Sequence, residues 1–378
     1  MNAKRHLANA NTLVRRGMLR IGVLMRDMGE IAEQWTSESG DESAGIERRL
    51  RPTARPSAQN CFLTFVCSAI LGGCGYVAEH TAPKKQATTQ RTAAAVRADE
   101  VFWKVFHGGA YDEIPQALNT LAGAYLQDPS DAVTAAHVAW LHMWRFVESS
   151  RLEHVGPTIT DEALLAQQYF QQAVALNPGE ARYLGFLASA TLAAGSINRD
   201  ERETRRGYYE LLDSIDAWPE FNLFTAGYVM SRQPADSARF RQGLEWEWRN
   251  ADVCAEAKVN RSHPDYAAFM FHATTTGNKR ACWNSWIAPH NLEGFFLNMG
   301  DMLVASGDWR AAQVIYTNAR LSPTYSEWKY RDILEQRIVN AQSNVASFRE
   351  PLNAAASDRT APHMMIAEDF ACMACHRQ

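Results

Sequence analysis

The sequence has no apolar run of the roughly 18–20 residues that a membrane-crossing helix needs. It has no basic block of the kind that grips nucleic acid, and its formal net charge is only −4. A Gly-x-x-x-x-Gly-Lys loop and a Gly-x-Ser-x-Gly elbow are both missing, so the usual signatures of phosphate-loop and serine-hydrolase chemistry are absent. Glu245 and Glu247 stand among tryptophans with no evident base or metal partner. Strand signals are also scarce. The β-prone Thr274-Thr275-Thr276 ends at once in Gly277. What remains is a chain of 378 residues, 46% hydrophobic and 21% charged, which is an ordinary globular composition. The length allows one large or two ordinary domains. Eleven tryptophans, among them Trp246, Trp248, Trp283 and Trp286, are expected to pack in the core.

Cysteine is scarce as well, seven in all, but two of the seven carry the strongest signal. Cys372-Met373-Ala374-Cys375-His376 is a Cys-x-x-Cys-His motif. In this spacing two thiols reach the two vinyl groups of one porphyrin, and the histidine that follows is held under the iron. The motif resembles the haem-attachment site of c-type cytochromes. That resemblance implies one covalent haem c on Cys372 and Cys375, with His376 as proximal iron ligand. The same two thiols would suit a redox pair or a disulfide in a chain without haem.

A sixth iron ligand has three nearby candidates, His363, Met364 and Met365, since His and Met both ligate haem. In one continuous helix they would lie roughly 17–20 Å from His376, too far to share its iron. The segment therefore bends, or the ligand comes from the body (His263, His272, His290, Met270 or Met299), or the sixth position is open. The late position of the motif is shared with cytochrome c′-type proteins, although the rest of the chain does not resemble them.

The front of the chain reads as an export signal. Arg48, Arg49, Arg51 and Arg55 precede the apolar run from Cys61 to Gly73, which is long enough for a signal-peptide core. Leu71-Gly72-Gly73-Cys74 resembles the lipobox of bacterial lipoproteins. The resemblance implies lipidation of Cys74 and a place in the bacterial cell envelope, either on the periplasmic face of the outer membrane or in the periplasm. Either the signal is unusually long or translation starts nearer residue 50. Residues 1–73 are thus expected to be extension and signal, and 74–97 a lipidated cysteine with a flexible tether.

Residues 98–339 carry a recurring pattern of small, large, small and proline. It reads Ala117, Leu121, Ala124, Pro129; then Ala166, Phe170, Ala173, Pro178; then Gly207, Leu211, Ser214, Pro219; then Ala312, Tyr316, Ala319, Pro323. Small residues allow close helix approach, the large one fills the groove, and proline ends the helix. The pattern resembles the second helix of tetratricopeptide (TPR) repeats. Ala132–Val147 reads as a buried helix, and Phe295–Leu303 followed by Gly307 as a first helix with its turn. The spacing is uneven, with a charged insertion expected at Ser196–Arg206. The expected fold is all-α: a degenerate TPR-like helical repeat solenoid or curled bundle with a C-terminal haem-binding tail.

Residues 340–378 read as a loop-rich tail, with His363–Ala371 as a short helix leading into the motif. Cys254 and Cys282 are the cysteines left for a disulfide. It would close a loop of about 29 residues, worth roughly 3–4 kcal/mol. Together these features predict an exported, membrane-anchored single-haem electron-transfer subunit or carrier. Its redox partner protein would dock on the TPR-like surface, with no nucleic acid bound. Two alternatives stand beside it: a non-haem adaptor lipoprotein with a C-terminal redox or disulfide cysteine pair, and a haem enzyme or gas sensor with an open sixth position.

Overall fold

Capping residues set the helix boundaries. Thr92 accepts from the Ala95 amide and starts α1 (Ala93–Gly108), which Gly109 ends in the left-handed region at φ 63°. Asp131 accepts from Val133 and Thr134 and starts α3 (Ala132–Val147); α2 (Ile114–Gln127) precedes it. Next come α4 (Ile159–Leu176), α5 (Ala181–Asn198), α6 (Glu201–Ala217), α7 (Pro219–Met230) and α8 (Ala238–Ala255). A long connection with two 3-10 turns leads to α9 (Asn291–Ser306) and α10 (Trp309–Asn318). Among the described residues the last helices are α11 (Arg331–Asn340) and the short α12 (Val345–Phe348) and α13 (Met373–His376).

This computed structural model describes residues 85–350 and 361–378, all within the unit Pro83–Gln378. Among the described residues the fold is all-α, with no strand. The signal, Cys74 and residues 351–360 of the tail lie outside the described residues.

Successive helices pack in pairs, α1 on α2, α3 on α4, α5 on α6, α7 on α8 and α9 on α10. The four small-large-small sets fall on α2, α4, α6 and α10, with Ala319 at the C-cap of the last, and each of these is the second helix of its pair. All twelve of these residues are buried. The crowding is visible at two glycines. A Cβ on Gly207 would lie 2.9 Å from the Leu192 backbone nitrogen, and one on Gly300 would meet the Tyr316 ring at 2.2 Å. The wide gap before the last set holds α7 and α8. There the same spacing reads Gly243, Glu247, Asn250, with a carboxyl at the large apolar position.

Three expectations need correction. Among the described residues the first helix starts at Ala93, inside the stretch expected as tether, because Thr92 supplies a cap. Ser196–Arg206 is no insertion. It is the end of α5, a left-handed Arg199 at φ 53°, and the Asp200-capped start of α6. Trp246, Trp248 and Trp283 are buried, but Trp286 is 61% exposed.

Aromatic rings on the odd-numbered helices form a continuous inner layer. Phe106 of α1 meets Trp140 of α3 at 5.7 Å, and Trp140 meets Phe186 of α5 at 4.0 Å. Phe186 meets Phe221 of α7 at 5.6 Å, and Phe224 of α7 meets Phe295 of α9 at 5.7 Å. The array curls far enough that α13 packs against both α1 and α9.

Cys254 at the end of α8 is bonded to Cys282 in the long connection. This link pins a stretch with little regular structure. Reduction, or the Cys254→Ala/Cys282→Ala variant, is expected to lower unfolding free energy by about 2–5 kcal/mol in a urea titration. A loss below about 1 kcal/mol would show that packing alone holds the connection.

Candidate cofactor site

The tail reaches the site by a clasp on α9. Asp301, fully buried, accepts from the Tyr316 hydroxyl and the Met365 amide, both at 2.6 Å, and pairs with Arg337. Arg337 also donates to the His363 carbonyl at 2.7 Å, while Glu368 accepts from the His363 amide at 3.0 Å. His363–Ala371, expected as a short helix, is not one. The backbone is extended at Met364 and Glu368, with ψ 148° and 159°, and the Ala367, Glu368 and Ala371 amides close only three-residue turns, leaving one 3-10 turn at Met365–Ala367. The helix of the motif is only α13.

Five hydrogen bonds to distant parts of the chain then hold the motif and the end of the chain. Glu148, the C-cap of α3, accepts from the Cys372 and Met373 amides at 2.7 and 3.1 Å. Trp328 donates its indole N–H to the Ala374 carbonyl at 2.8 Å. The His290 amide donates to the Cys375 carbonyl at 3.0 Å, and the Gln378 amide to the His107 carbonyl at 2.9 Å.

The two thiols sit differently. Cys375 is buried in a notch of α9, where a Cβ on Gly294 would lie 2.2 Å from its sulfur. Cys372 keeps some exposure and faces the charges of Glu148 and Arg232. Burial lifts the Cys375 thiol to about 12, with Glu293 and Glu247 adding to the shift. Burial and Glu148 push Cys372 well above the ordinary thiol range. Neither is an activated thiolate. Gly294→Ala is expected to force this thiol out of its notch at a cost of about 1–3 kcal/mol in chemical denaturation. An unchanged midpoint would mean that the notch has slack.

His376 is oriented by a backbone carbonyl. Its Nδ1 lies 2.9 Å from the Ile287 oxygen, an atom that only accepts, so Nδ1 carries the proton and Nε2 keeps the lone pair. Burial holds the imidazole down at about 4, so it is neutral near pH 7. Its ring packs on Phe106 at 4.8 Å and Trp140 at 5.7 Å. His107 shares the Ile287 carbonyl at 3.4 Å. A covalent haem needs from a chain two thiols, one imidazole lone pair and apolar walls. Cys372, Cys375, His376 Nε2 and the inner ring layer can supply these.

Of the candidate sixth ligands, His290 is beside the motif through its amide bond to Cys375. Met364 and Met365 pack in the core, and the Met365 amide is bound at Asp301. Asp301 lies seven residues along α9 from Gly294, which is about 10 Å. In the body, His263 is exposed and Met270 half-buried, while Met299 is buried in the core. His272 faces Glu256 at 3.3 Å, and His290 faces Glu293 at 3.1 Å. Among the described residues, no cluster of three or more His, Cys, Asp or Glu side chains could hold a bare metal ion. Among them, no helix is long and apolar enough to cross a membrane.

Sequence reasoning missed Glu148, Gly294, Phe106, Trp140 and the Ile287 carbonyl. Each is far from the motif in the chain and belongs to no local pattern. No protein-family model, curated protein or solved structure matches this chain.

Proposed function

We propose that the protein is an envelope-anchored, single-haem c-type electron-transfer subunit or carrier. In this reading Cys372 and Cys375 hold the haem, His376 is the proximal ligand and Cys74 the lipid anchor. The observation that carries it is the orientation of His376. A ring hydrogen-bonded through Nδ1 to a carbonyl presents Nε2 as a ligand, and such a second contact is what metal-ligating histidines use. The bound haem would supply a one-electron iron couple. The chain's own part is to fix the ring, seat the thiols and surround the site with aromatic side chains. The body is read as TPR-like, supported by the four spacing sets on second helices, and its surface as the docking place for a redox partner protein.

A haem enzyme or gas sensor with an open sixth position is a second reading. It is favoured by the binding of the Met365 amide at Asp301, about 10 Å along α9 from Gly294, the residue that seats Cys375. The redox-pair reading is weaker, because burial raises both thiols rather than activating them.

The test is intact mass and visible absorbance of protein made in a host that matures c-type cytochromes, beside Cys372→Ala/Cys375→Ala. A haem-sized mass increment and c-type bands, both lost in the variant, are expected. Binding of CO by the reduced protein would separate the open-site reading from the electron carrier. No increment, where a control cytochrome matures, would overturn both haem readings.

A further inference from the structure

Trp286 and Ile287 stand at the surface, 61% and 38% exposed, although both are large and apolar. They form the tip of a short turn in the long connection. The Ser285 amide donates to the Ala288 carbonyl at 3.0 Å, and the Ala288 amide donates to the Ser285 hydroxyl at 3.2 Å. Before the tip, Cys282 is bonded to Cys254, and Asn284 donates to Glu293 of α9 at 2.8 Å. After it, the His290 amide is bound at the Cys375 carbonyl. With both flanks anchored, the tip is held out in water by the fold itself.

One hydrogen bond joins this tip to the candidate iron ligand. The Ile287 carbonyl accepts from His376 Nδ1 at 2.9 Å, and Ile287 directly follows Trp286. The Trp286 ring lies 4.6 Å from the half-buried Trp103 ring and 5.1 Å from His107. Rings continue inward, from Trp103 to Phe106 at 6.3 Å and from Phe106 to His376 at 4.8 Å. A single exposed apolar residue needs no explanation, but here two indoles and an isoleucine meet over one imidazole.

We infer that Trp286 is the electron port of the protein. A one-electron carrier protein, with its cofactor edge in an apolar face, docks on Trp286 and Trp103. The port rests on the haem reading. Electron tunnelling falls steeply with distance and runs better through bonds than across gaps. From indole to imidazole the path is the Trp286 and Ile287 backbone and one hydrogen bond, with the neighbouring rings beside it. One electron passes from ferrous iron to the oxidised carrier, leaving ferric iron and a reduced carrier. No bond forms or breaks, and the proton stays on His376 Nδ1. The flat indole faces suit an apolar cofactor edge. A second copy of this chain fits less well, because two haems of equal potential give no driving force. A lipid surface would make no use of the link to His376.

The test is stopped-flow oxidation of the reduced, haem-bearing protein by an oxidised blue-copper protein, whose colour is read apart from the haem bands. Hexacyanoferrate(III), which needs no docking surface, is the second oxidant. Wild type is compared with Trp286→Ala, Trp286→Phe and Phe271→Ala, the last removing another exposed ring of the same connection. Thermal melting shows that each variant folds. Trp286→Ala is expected to slow oxidation by the copper protein by about tenfold or more, as loss of an aromatic anchor does. Its oxidation by hexacyanoferrate(III) should change little. Trp286→Phe should recover most of the rate, and Phe271→Ala should lose none. Visible spectra and reduction potentials should match in all four, which a merely structural role of Trp286 would not give.

Wild-type rates in Trp286→Ala, with haem bands present, would overturn the port and leave the haem reading standing. Absence of haem would overturn both. Sedimentation and flotation test the other occupants. A dimer that Trp286→Ala dissociates would give the tip to a second copy. Binding to vesicles of phosphatidylethanolamine and phosphatidylglycerol, lost in Trp286→Ala, would give it to a lipid surface. Either result would overturn the carrier.

Discussion

Replacing Asp301 by alanine is expected to lower the unfolding free energy by about 3–5 kcal/mol. The side chain is fully buried and gathers three donors, from Arg337, Tyr316 and Met365. Its removal leaves the Arg337 guanidinium, itself buried, with only the Glu368 contact at 3.2 Å to balance its charge. The cost comes from that stranded charge more than from the lost attraction. Tyr316→Phe should cost only about 1–1.5 kcal/mol, because it deletes one hydrogen bond and keeps the ring that fills the groove at Gly300. Chemical denaturation checks both values. Hydrogen exchange at Met365 adds a local reading, since that amide should lose protection in Asp301→Ala even where the body stays folded. An Asp301→Ala loss below about 1 kcal/mol would mean that the tail is held by apolar packing instead.

Glu148→Ala is expected to have an effect of similar size, about 3–5 kcal/mol, for a different reason. Glu148 is fully buried and accepts from Cys372, Met373 and the Trp144 indole, with Arg151 at 3.0 Å. Alanine leaves three donors facing a hole. The variant also tests a pH effect. Burial raises the Glu148 carboxyl from its ordinary 4.5 to about 7, against the pull of Arg151 and the N–H donors. A carboxyl raised on folding binds more protons in the folded than in the unfolded state between those two values. Its contribution is therefore complete below about pH 4.5 and is lost as pH rises through about 7. Unfolding free energies measured from pH 4.5 to 8 should fall across this window in wild type. The fall should be smaller in Glu148→Ala. Parallel profiles would show that Glu148 stays ionised and that the surrounding donors outweigh its burial.

Much of the helical body was legible because its signals are local. Pro129 and Pro178 just past two helices and Gly307 after a third mark helix ends by backbone chemistry that needs no partner. The small-large-small spacing located α2, α4, α6 and α10 because close helix packing demands that order of sizes. The method failed at α8, where Glu247 takes the apolar position. That carboxyl is buried against Gly227 and accepts from Asn298 at 2.8 Å, a solution visible only once α7 and α9 are beside it. It failed again at His363–Ala371. Nothing within those residues says that Arg337 and Asp301, on two distant helices, will hold His363 and Met365 with extended backbone at Met364 and Glu368.

The sequence by itself determined the all-α class, several helix ends and the chemistry available at Cys372, Cys375 and His376. Each of these follows from backbone preferences or from covalent side-chain chemistry, which travel with the residue wherever it is placed. Only the tertiary structure decided what surrounds that chemistry. It turned the His376 ring through the Ile287 carbonyl, set Cys375 in the notch of Gly294, and tied the motif to Glu148. It also carried His363, Met364 and Met365 off along α9 to Asp301. The physical reason is that burial and hydrogen bonding depend on groups hundreds of residues away, and those meet only when the helix pairs curl and bring α1 and α9 to the same short helix.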